Sequence, residues 1–428
     1  MLDINLIRNN PEIVKKDLEK REDAEKLKWI DEIKTLDSEW RSFKVETEKL
    51  RNSRNVISRE IGALKKEGKD ASSKLEEAGA IPGKIAEIEE KQQQIRTKID
   101  GYLMRLPNIL HESVPVGHDE EDNVEVAKFN KEPLFDFPLR SHVDIIEDLG
   151  IVDLERAAKI SGARFWFLKG ELAELDMALQ KYAMDFMIRK KYTLVQPPFM
   201  MNRKSYEGVT DLGDFEDVMY KIEDEDLYMI ATSEHPLTAM YMDEIIEADD
   251  LPIKMAGVAT QFRKEAGSHG KDTKGIFRGH QFNKIEQVIL CKPEDSWKFH
   301  DEILKNAEDM WKGLGLHFRK VNICTGDIGT VAAKKFDLEV WMPVQNKYRE
   351  IVSGSNCTEY QSRRLKIRYR TNEGNKFVHT LNCTGVATSR ALVAILENNQ
   401  QKDGTIKVPD VLVPYMNGKM FIGKNGKN

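Results

Sequence analysis

The sequence is poor in cysteine and has no long hydrophobic run. Its four cysteines lie far apart and form no Cys-x-x-Cys pair, so we expect neither a disulfide framework nor a zinc ribbon, and a reducing cytoplasm fits. No apolar run approaches the roughly 18 residues that a transmembrane helix needs. The first residues show no basic start followed by an apolar stretch, which argues against a secretory signal. We therefore expect a cytoplasmic protein that spans no membrane.

Two common nucleotide-binding motifs are absent as well. Gly270-Lys271 has no glycine five residues before it and is followed by aspartate, so the chain has no Walker-type P-loop. No Gly-x-Gly-x-x-Gly follows a strand-like segment. If the protein binds a phosphate, arginine side chains must do so, and their planar guanidinium suits that task.

The composition is that of a globular protein large enough for two or three domains. The chain has 428 residues, of which 40% are hydrophobic and 32% charged, a balance that argues against a disordered chain. The net charge of −6 argues against a protein that coats nucleic acid indiscriminately. Any RNA would have to be bound by a locally basic surface.

The first 110 residues carry two heptad series. The apolar positions of the first run from Trp29 to Leu64 in steps of four and three, and those of the second run from Ile81 to Leu106. This pattern predicts two helices that form an antiparallel hairpin, with Pro82-Gly83 kinking the return helix or delaying its start. A helix over 29–64 would be about 50 Å long, so we expect the hairpin to project as an arm that ends at Pro107.

The remaining chain changes its pattern. We predict an N-terminal domain over 1–110, a linker over 111–134 that contains the acidic cluster 119–122, and a mixed domain over 135–428. Strands that cluster without regular β-α-β alternation indicate an α+β domain with a largely antiparallel sheet flanked by helices. The predicted helices are 171–191, 292–314 and 390–400, and the predicted strands are 254–263, 277–290, 336–344 and 377–381.

The segment 256–290 is the most informative stretch. A strand ends at Phe262-Arg263-Lys264-Glu265, a loop rich in glycine and lysine follows, and a returning strand starts near Phe277. Because alternate residues of a strand share a face, we expect Arg278, His280, Phe282, Lys284 and Glu286 to point the same way. Such a row suits a cleft for an anion, a planar ring and a cation, although a solvated hairpin explains the pattern about as well.

This segment closely resembles motif 2 of the seryl-tRNA synthetases. It reads Phe-Arg-Lys-Glu-Ala-Gly-Ser-His-Gly-Lys-Asp-Thr-Lys-Gly-Ile-Phe-Arg-Gly-His-Gln-Phe-Asn-Lys-Ile-Glu over 262–286. The resemblance implies that Arg263 binds the ATP α-phosphate, Glu265 the adenine edge and Arg278 the terminal phosphates. It further implies that Phe282 stacks on adenine and that Glu286 faces serine, with Lys264 among the ATP-binding residues.

Three further stretches resemble the same family. Ala231-Thr232-Ser233-Glu234 is similar to its amino-acid-binding Thr-x-Glu segment, although Ser/Thr-x-Glu alone is more often a helix cap. Tyr348 to Asn356 resembles the stretch whose Glu350 and Ser353 would ligate Mg²⁺ and whose Ile351 and Val352 would meet ATP. Leu381 to Arg390 resembles motif 3, which implies a glycine-rich turn followed by a helix with Arg390 on the far face of adenine. Thr384, with Asn382, would bind the serine hydroxyl.

The resemblance covers nearly the whole chain and implies a class II aminoacyl-tRNA synthetase. Segment 171–198 fits motif 1 weakly, with Pro198 favoured as its proline, and implies a homodimer. The chain departs from the usual family pattern in two places. Its motif 3 reads Asn-Cys-Thr-Gly, which keeps a hydroxyl at Thr384, and its motif 2 loop contains His269. A rare zinc-dependent form exists, but this chain has the coiled arm and no Cys/His cluster, so we expect no zinc.

The expected reaction has two steps: serine and ATP form seryl-adenylate, and the seryl group then moves to the 3′ end of tRNASer. Positioning and charge neutralisation by the catalytic Arg263, Arg278 and Arg390 and by Mg²⁺ would carry the rate. A ligase that loads a carrier protein would lack the arm. An interaction protein with a decayed site would not keep every one of these polar residues. The sequence leaves open whether the selenocysteine tRNA is a second substrate.

The predicted arm is locally basic. Between Arg41 and Lys74 there are ten basic and five acidic residues. A solvated coiled-coil surface explains mixed charges without any partner. In the family, however, the arm grips the long variable arm of tRNA, which implies that Arg51, Arg54 and Arg59 contact phosphates.

Overall fold

A computed structural model describes residues 1–211, 218–265 and 274–423. The chain forms two compact units, Met1–Leu106 and Pro107–Asn428, here called the N-terminal and C-terminal units. Gly270, Lys271 and His269, which the sequence analysis singled out in the motif 2 loop, lie outside the described residues.

The N-terminal unit is helical and contains the predicted hairpin. Trp29 near the start of the third helix lies 5.3 Å from Tyr102 near the end of the fourth, measured between ring centroids. Lys74 at the start of the fourth helix pairs with Glu60 near the end of the third, at 3.0 Å. The two long helices are therefore antiparallel, as predicted. The helices are α1 Ile4–Asn9, α2 Pro11–Lys20, α3 Ala24–Lys66 and α4 Ser72–Leu103.

Of the two alternatives predicted for Pro82-Gly83, a kink or a delayed start of the return helix, the delayed start is wrong. α4 begins at Ser72 and continues through Pro82. Ile81 and Ile85 on either side of the proline are buried against Ile57 of α3, and this apolar packing offsets the hydrogen bond that proline removes. α4 ends at Leu103, three residues before the predicted end of the seam at Leu106.

The C-terminal unit is built on an eight-stranded sheet. Its order is β1-β10-β11-β12-β15-β9-β8-β4, and every neighbouring pair is antiparallel except β4 with β8. This confirms the predicted largely antiparallel sheet. The strands of this sheet are β1 Val124–Phe129, β4 Thr193–Val195, β8 Ile253–Phe262, β9 Gln281–Cys291, β10 Phe318–Asn322, β11 Lys334–Met342, β12 Lys347–Asn356 and β15 His379–Ala387.

Short strands and helices complete this unit. The smaller sheets contain β2 Val152–Asp153, β3 Phe167–Leu168, β5 Met200–Met201, β6 Tyr228–Met229, β7 Ile245–Ile246, β13 Arg368–Thr371, β14 Gly374–Phe377, β16 Ile406–Lys407 and β17 Phe421–Ile422. The α-helices are α5 His142–Leu149, α6 Leu154–Ser161, α7 Gly170–Arg189, α8 Arg203–Val209, α9 Glu234–Ala239, α10 Ser296–Gly313, α11 Tyr360–Leu365 and α12 Thr388–Asn398. Short 3₁₀ segments are Glu120–Asp122, Ala248–Asp250, Pro293–Asp295 and Asp410–Met416.

The core of this unit lies where α7, α10 and α12 pack on the sheet. Trp311 of α10 is fully buried, and its indole Nε1 donates to the carbonyl of Gly385 in β15 at 3.0 Å. α12 is buried through most of its length because it is apolar on nearly every face. Val124–Phe129, inside the predicted linker, pairs with β10 as the edge strand β1.

Two local predictions are wrong in ways that matter for the site. β9 begins at Gln281, so Arg278 and His280 precede the strand. The motif 3 segment predicted as a turn is instead part of β15, and the helix α12 starts at Thr388. Pairing with β9 satisfies the backbone of Asn382 to Thr384, and this tertiary pairing overrides the local turn preference of glycine.

No helix within the described ranges is both long and apolar enough to cross a membrane. The four cysteines all fall within the described part of the chain and are buried and unpaired.

Candidate active site

The predicted site residues converge on two adjoining cavities of the C-terminal unit. The larger cavity, of about 370 Å³, contains the residues predicted for serine, and the smaller one contains those predicted for the adenine and phosphates. Arg263, Lys284, Glu350 and Thr384 line both cavities, so the two form one continuous site. Three neighbouring strands, β12, β15 and β9, supply part of the lining of both cavities, and Arg263 directly follows the next strand of the sheet, β8.

The larger cavity holds a compact polar cluster. Lys284 Nζ lies 2.5 Å from Glu286 Oε2 and donates to Thr232 Oγ1 at 3.1 Å. Thr384 Oγ1 donates to the same Glu286 carboxylate at 3.3 Å. Lys284 and Glu286 sit two apart on β9, so the strand periodicity itself places them on one face. The prediction that Phe282, Lys284 and Glu286 share a face agrees with their common lining of the two cavities.

Two carboxylates in this cavity are held close together. Burial, followed by the charge of Glu286, raises the pKa of Glu234 to about 7. Burial also raises the pKa of Glu286, although Lys284 opposes the shift. Gln361 Nε2 donates to Glu234 Oε1 at 3.0 Å and fixes the orientation of that carboxylate. Two buried carboxylates beside one lysine make a site that a second cation, such as an amino-acid ammonium, would stabilise.

Arg263 and Phe282 form the centre of the smaller cavity. The Arg263 guanidinium lies 5.4 Å from the Phe282 ring centroid, and its Nε donates to the carbonyl of Ala231 at 3.1 Å. Burial lowers the pKa of Arg263, but arginine remains charged at any physiological pH. The fixed Nε contact leaves the outer nitrogens of the guanidinium to meet a phosphate.

Glu265 and Arg278 face each other across the smaller cavity. Arg278 Nε lies 3.4 Å from Glu265 Oε2. Glu265 has φ of 49°, in the left-handed region that a residue with a side chain seldom adopts. Its carbonyl accepts from Arg164 Nη1 at 2.9 Å, which helps to hold this conformation. Although Arg278 precedes β9, it still lines the cavity as the sequence predicted.

A β-bulge brings Glu350 and Ser353 together. Residues three apart on a regular strand face opposite sides of the sheet. In β12, Val352 opposes Leu338 and Glu350 opposes Glu339, so Ile351 is the extra residue of a bulge. The bulge re-aims the strand, and both Glu350 and Ser353 line the larger cavity.

Arg390, the third residue of α12, closes the smaller cavity from the helix side. Its Nη1 donates to the Glu350 carbonyl at 2.6 Å and lies 3.5 Å from Glu350 Oε1. Burial would raise the pKa of Glu350, but Arg390, Lys335 and Arg263 outweigh that effect and hold the pKa below its usual range. Glu350 is therefore an anion at neutral pH.

The donor set around Glu350 and Ser353 fits Mg²⁺. Carboxylate and hydroxyl oxygens are hard ligands, and Mg²⁺ is commonly held by one or two carboxylates together with substrate phosphates. Next to them, the buried Asp337 has one carboxylate oxygen, Oδ1, without a hydrogen-bond partner among the described residues. Within the same described ranges, no group of three or more His, Cys, Asp or Glu side chains could hold a metal by itself.

Three predicted residues do not line the described cavities with their side chains. Ser233, which directly precedes α9, is fully buried, and Val352 belongs to the hydrophobic core. Lys264 follows Arg263, and its backbone N donates to the Val218 carbonyl at 3.0 Å. By contrast, Glu234, Asn382 and Ile351 line the cavities as expected.

The structure adds residues to which the sequence analysis gave no role. Lys284 lies at the centre of the polar cluster; strand alternation had already placed it in the row facing the cleft, but without a specific role. Lys335, Gln361 and Cys357 reach the site from distant parts of the chain. No local sequence pattern marks these residues because strand order, rather than spacing, brings them together.

Two family models match separate parts of the chain. Residues 219–399 match the tRNA synthetase class II core domain (G, H, P, S and T). Together with a largely antiparallel sheet, with Arg263 and Arg278 beside the ends of two of its strands and with Arg390 on a helix, this defines a class II aminoacyl-tRNA synthetase. Residues 1–110 match the seryl-tRNA synthetase N-terminal domain.

The relatives are similar over essentially their whole length. A serine–tRNA ligase from Methanocella arvoryzae is 56% identical, with 99% of this chain and 100% of the relative covered. A crystal structure of seryl-tRNA synthetase from Pyrococcus horikoshii complexed with ATP has a TM-score of 0.95 at 50% identity, covering 99% of each chain. A crystal structure of the cytoplasmic serine–tRNA ligase from Naegleria fowleri in complex with AMP has a TM-score of 0.90 at 36% identity, and it also covers 99% of each chain. The chain belongs to the seryl-tRNA synthetase family.

Proposed function

We propose that this chain activates L-serine with ATP and transfers the seryl group to the 3′ end of tRNASer. The observation that carries the proposal is the convergence of Thr232, Glu234, Glu286, Asn382 and Thr384 in one cavity that is continuous with the arginine-lined one. Full-length identity of 56% to a serine–tRNA ligase supports the same substrate and reaction.

Serine is selected by hydrogen bonds. The Glu234 and Glu286 carboxylates would pair with the substrate ammonium, which relieves their mutual repulsion. The Thr384 hydroxyl donates its proton to Glu286 and keeps a lone pair for the serine hydroxyl, with Asn382 as a further partner. A site built for a hydroxyl disfavours alanine because its buried polar groups would be left unpaired.

The first chemical step needs no protein nucleophile. A serine carboxylate oxygen attacks the α-phosphorus of ATP, the bond to the β-phosphate breaks, and diphosphate leaves. Arg263 would stabilise the α-phosphate and Arg278 the terminal phosphates, while Phe282 and Arg390 would sandwich adenine and Glu265 would meet its edge. Preorganised charges of this kind lower the barrier without covalent catalysis.

In the second step, the terminal ribose hydroxyl of tRNA attacks the seryl carbonyl and AMP leaves.

Glu350 and Ser353 would hold Mg²⁺ beside the phosphates of ATP, where the first step takes place. When bound, the ion supplies positive charge that offsets the charge of the leaving diphosphate. The chain's own residues orient that corner of the site, because Arg390 fixes the Glu350 backbone and carboxylate.

The N-terminal unit would bind tRNASer through its hairpin. Arg54 and Arg59 are exposed, and neither side chain has an ion-pair partner within the described residues. Arg51 is exposed as well but is held by Glu48 at 2.8 Å and by Glu89 at 2.7 Å. The first two arginines are therefore better placed to meet phosphates than Arg51.

We further propose a homodimer formed through α7 and the two-stranded sheet of β2 and β3. Met177 and Ile188 of α7 expose 68% and 51% of their surface, and Phe167 of β3 exposes 44%. Large apolar side chains exposed on these elements favour association with another protein surface. The reduced cysteines fit a cytoplasmic location.

The experiment that tests the proposed function is ATP–diphosphate exchange with each of the twenty amino acids. Serine is expected to drive exchange, with threonine and alanine at least about a hundredfold weaker. Equal exchange with alanine or glycine would overturn the assignment to serine.

A further inference from the structure

Two segments with no role in the proposed chemistry form part of the wall of the larger cavity. One is the stretch 328–332 between β10 and β11, and the other is Cys357, which directly follows β12. Both lie beside the residues proposed for serine. Neither segment forms a regular element, so something other than strand pairing must fix its position.

One buried side chain ties the two segments together. Asn108 is 5% exposed, and its Nδ2 donates to the carbonyls of Val331 at 3.0 Å and Cys357 at 2.8 Å. Its backbone N also donates to the Thr330 carbonyl at 2.8 Å. The side-chain oxygen accepts from the backbone N of Ile109 at 2.9 Å, which orients the amide so that its hydrogens face the two carbonyls.

The same amide supports an unusual backbone conformation. Thr358, next to Cys357, has φ of 47°, a conformation that is costly for a β-branched residue. Asn108 Nδ2 lies 3.1 Å from Thr358 Oγ1. The flanking backbone is held as well, since Cys357 N donates to the Thr380 carbonyl at 2.9 Å. A conformation of this cost persists only when its surroundings determine it.

We infer that Asn108 is a positioning residue for the amino-acid-binding cavity: its amide sets the spacing between the wall at 328–332 and the wall at Cys357. It touches no substrate and acts through the backbone of residues that line the cavity. The inference rests on the proposed function, because it assigns serine to the larger cavity. In the chain, Asn108 comes two residues after the N-terminal unit ends at Leu106.

Asn108→Asp tests this role because it keeps the size and removes the donor. A carboxylate oxygen would then face two carbonyl oxygens, so the walls should separate. We expect the KM for serine in ATP–diphosphate exchange to rise about tenfold, the loss that goes with one buried hydrogen bond. The KM for ATP should stay within about twofold, because the residues proposed for adenine and the terminal phosphates, Glu265, Arg278, Phe282 and Arg390, line the smaller cavity.

Asn398→Asp is the matched control. Asn398 is also buried, and its Nδ2 likewise donates to two carbonyls, those of Trp341 at 3.0 Å and Ala394 at 2.9 Å, but it lines neither cavity. This variant should lower the melting temperature and leave both KM values unchanged. Asn108→Ala, which removes the donor without adding a charge, serves if Asn108→Asp does not fold.

The inference is overturned if Asn108→Asp folds and keeps the wild-type KM for serine, or if both KM values change in parallel. It is also overturned if neither Asn108 variant folds while Asn398→Asp does, since Asn108 would then serve the fold alone. These outcomes differ from a failure of the proposed function, in which the wild-type protein itself shows no serine-dependent exchange.

Discussion

The two units of this protein place their charges in different environments. In the N-terminal unit, Arg51 is exposed and forms ion pairs with Glu48 and Glu89, an arrangement common on solvated helices. In the C-terminal unit, Lys284 and Glu286 are paired while 7% and 1% exposed, with Glu234 nearby. Removing charged groups from water is costly, even in pairs. A buried charge cluster that lines a cavity therefore points to a ligand much more strongly than an exposed ion pair does.

This difference in environment also explains why the two functions are supported unequally. The chemistry of the C-terminal unit can be argued from distances between side chains. In the N-terminal unit, the charges fit a solvated surface as well as a phosphate-binding one, so the role proposed for them rests on the match of residues 1–110 to the seryl-tRNA synthetase N-terminal domain. If activation and RNA binding reside in separate units, changes in one unit should leave the activity of the other intact.

The largest effect is expected at Arg263. Arg263→Ala removes the guanidinium proposed for the α-phosphate and should reduce serine-dependent exchange by at least about a thousandfold. Arg263→Lys should also be poor, because an ammonium cannot form the two-pronged contact. Arg319→Ala, which breaks a surface pair with Glu339, should keep near-normal exchange. Near-normal exchange by Arg263→Ala with a wild-type melting profile would show that the motif 2 assignment is wrong.

Removal of the hairpin should separate the two activities. Deleting about 42–102 and bridging the ends should reduce tRNA charging at limiting tRNA by at least about a hundredfold, because the deletion removes the arginines proposed to bind phosphates. Exchange with serine should remain near the wild-type rate, which also serves as the folding control. If the deleted protein charges tRNA normally at moderate salt, RNA recognition must lie in the C-terminal unit.

The pH dependence of serine activation should reflect Glu234. Its pKa is raised to about 7, so below that pH the carboxylate is protonated and no longer attracts the substrate ammonium. The kcat/KM for serine should therefore fall by up to about tenfold per pH unit below 7. Glu234→Gln should lose this acidic limb. Glu308→Gln, which changes a carboxylate paired with Lys320 at 3.0 Å, should keep it.

The smallest effect concerns single arginines of the hairpin. Arg54→Gln or Arg59→Gln should flatten the salt dependence of tRNA binding by about 0.7–0.9 in log–log slope for each phosphate that the variant no longer neutralises. Arg51→Gln should change the slope less, because that guanidinium is already held by two glutamates. Filter binding over a range of salt concentrations measures all three slopes. If Arg51→Gln reduced the slope as much as Arg54→Gln or Arg59→Gln, Arg51 would exchange its ion pairs with Glu48 and Glu89 for contacts with RNA phosphates.

Much of this fold could be predicted because its signals are local. Heptad spacing predicted α3 and α4, and apolar patterns placed β8, β9 and β11 within a few residues of their observed bounds, whereas the strand predicted over 377–381 stops well before the end of β15 at Ala387. The family resemblance named many of the residues that line both cavities, but not Lys335, Cys357 or the stretch 328–332. The sequence did not show two β-bulges. One lies at Ile351 in β12, and the other lies at Gly385 in β15, where Thr384 opposes Glu286 and Val386 opposes Ile285.

These irregularities depend on the partner strands rather than on the sequence around them. Gly385 leaves room for the Ile285 carbonyl, which would lie 3.1 Å from a Cβ at that position. Its own carbonyl accepts from Trp311 Nε1, a partner more than seventy residues away in the chain. Because such interactions are non-local, the sequence of the motif 3 segment alone predicted a turn, whereas in the structure the segment is part of β15.

The central claim is that the hydroxyl partners in the larger cavity select serine. The most direct test is the ratio of kcat/KM for serine to that for alanine in ATP–diphosphate exchange, compared between the wild type and Thr384→Val. The ratio should be at least about a hundredfold in the wild type and should fall by about tenfold or more in the variant, chiefly through weaker use of serine. The control is Thr325→Val. The Thr325 hydroxyl donates to the Gly117 carbonyl, so its removal should keep the wild-type ratio. An unchanged ratio in an active, folded Thr384→Val protein would contradict the account.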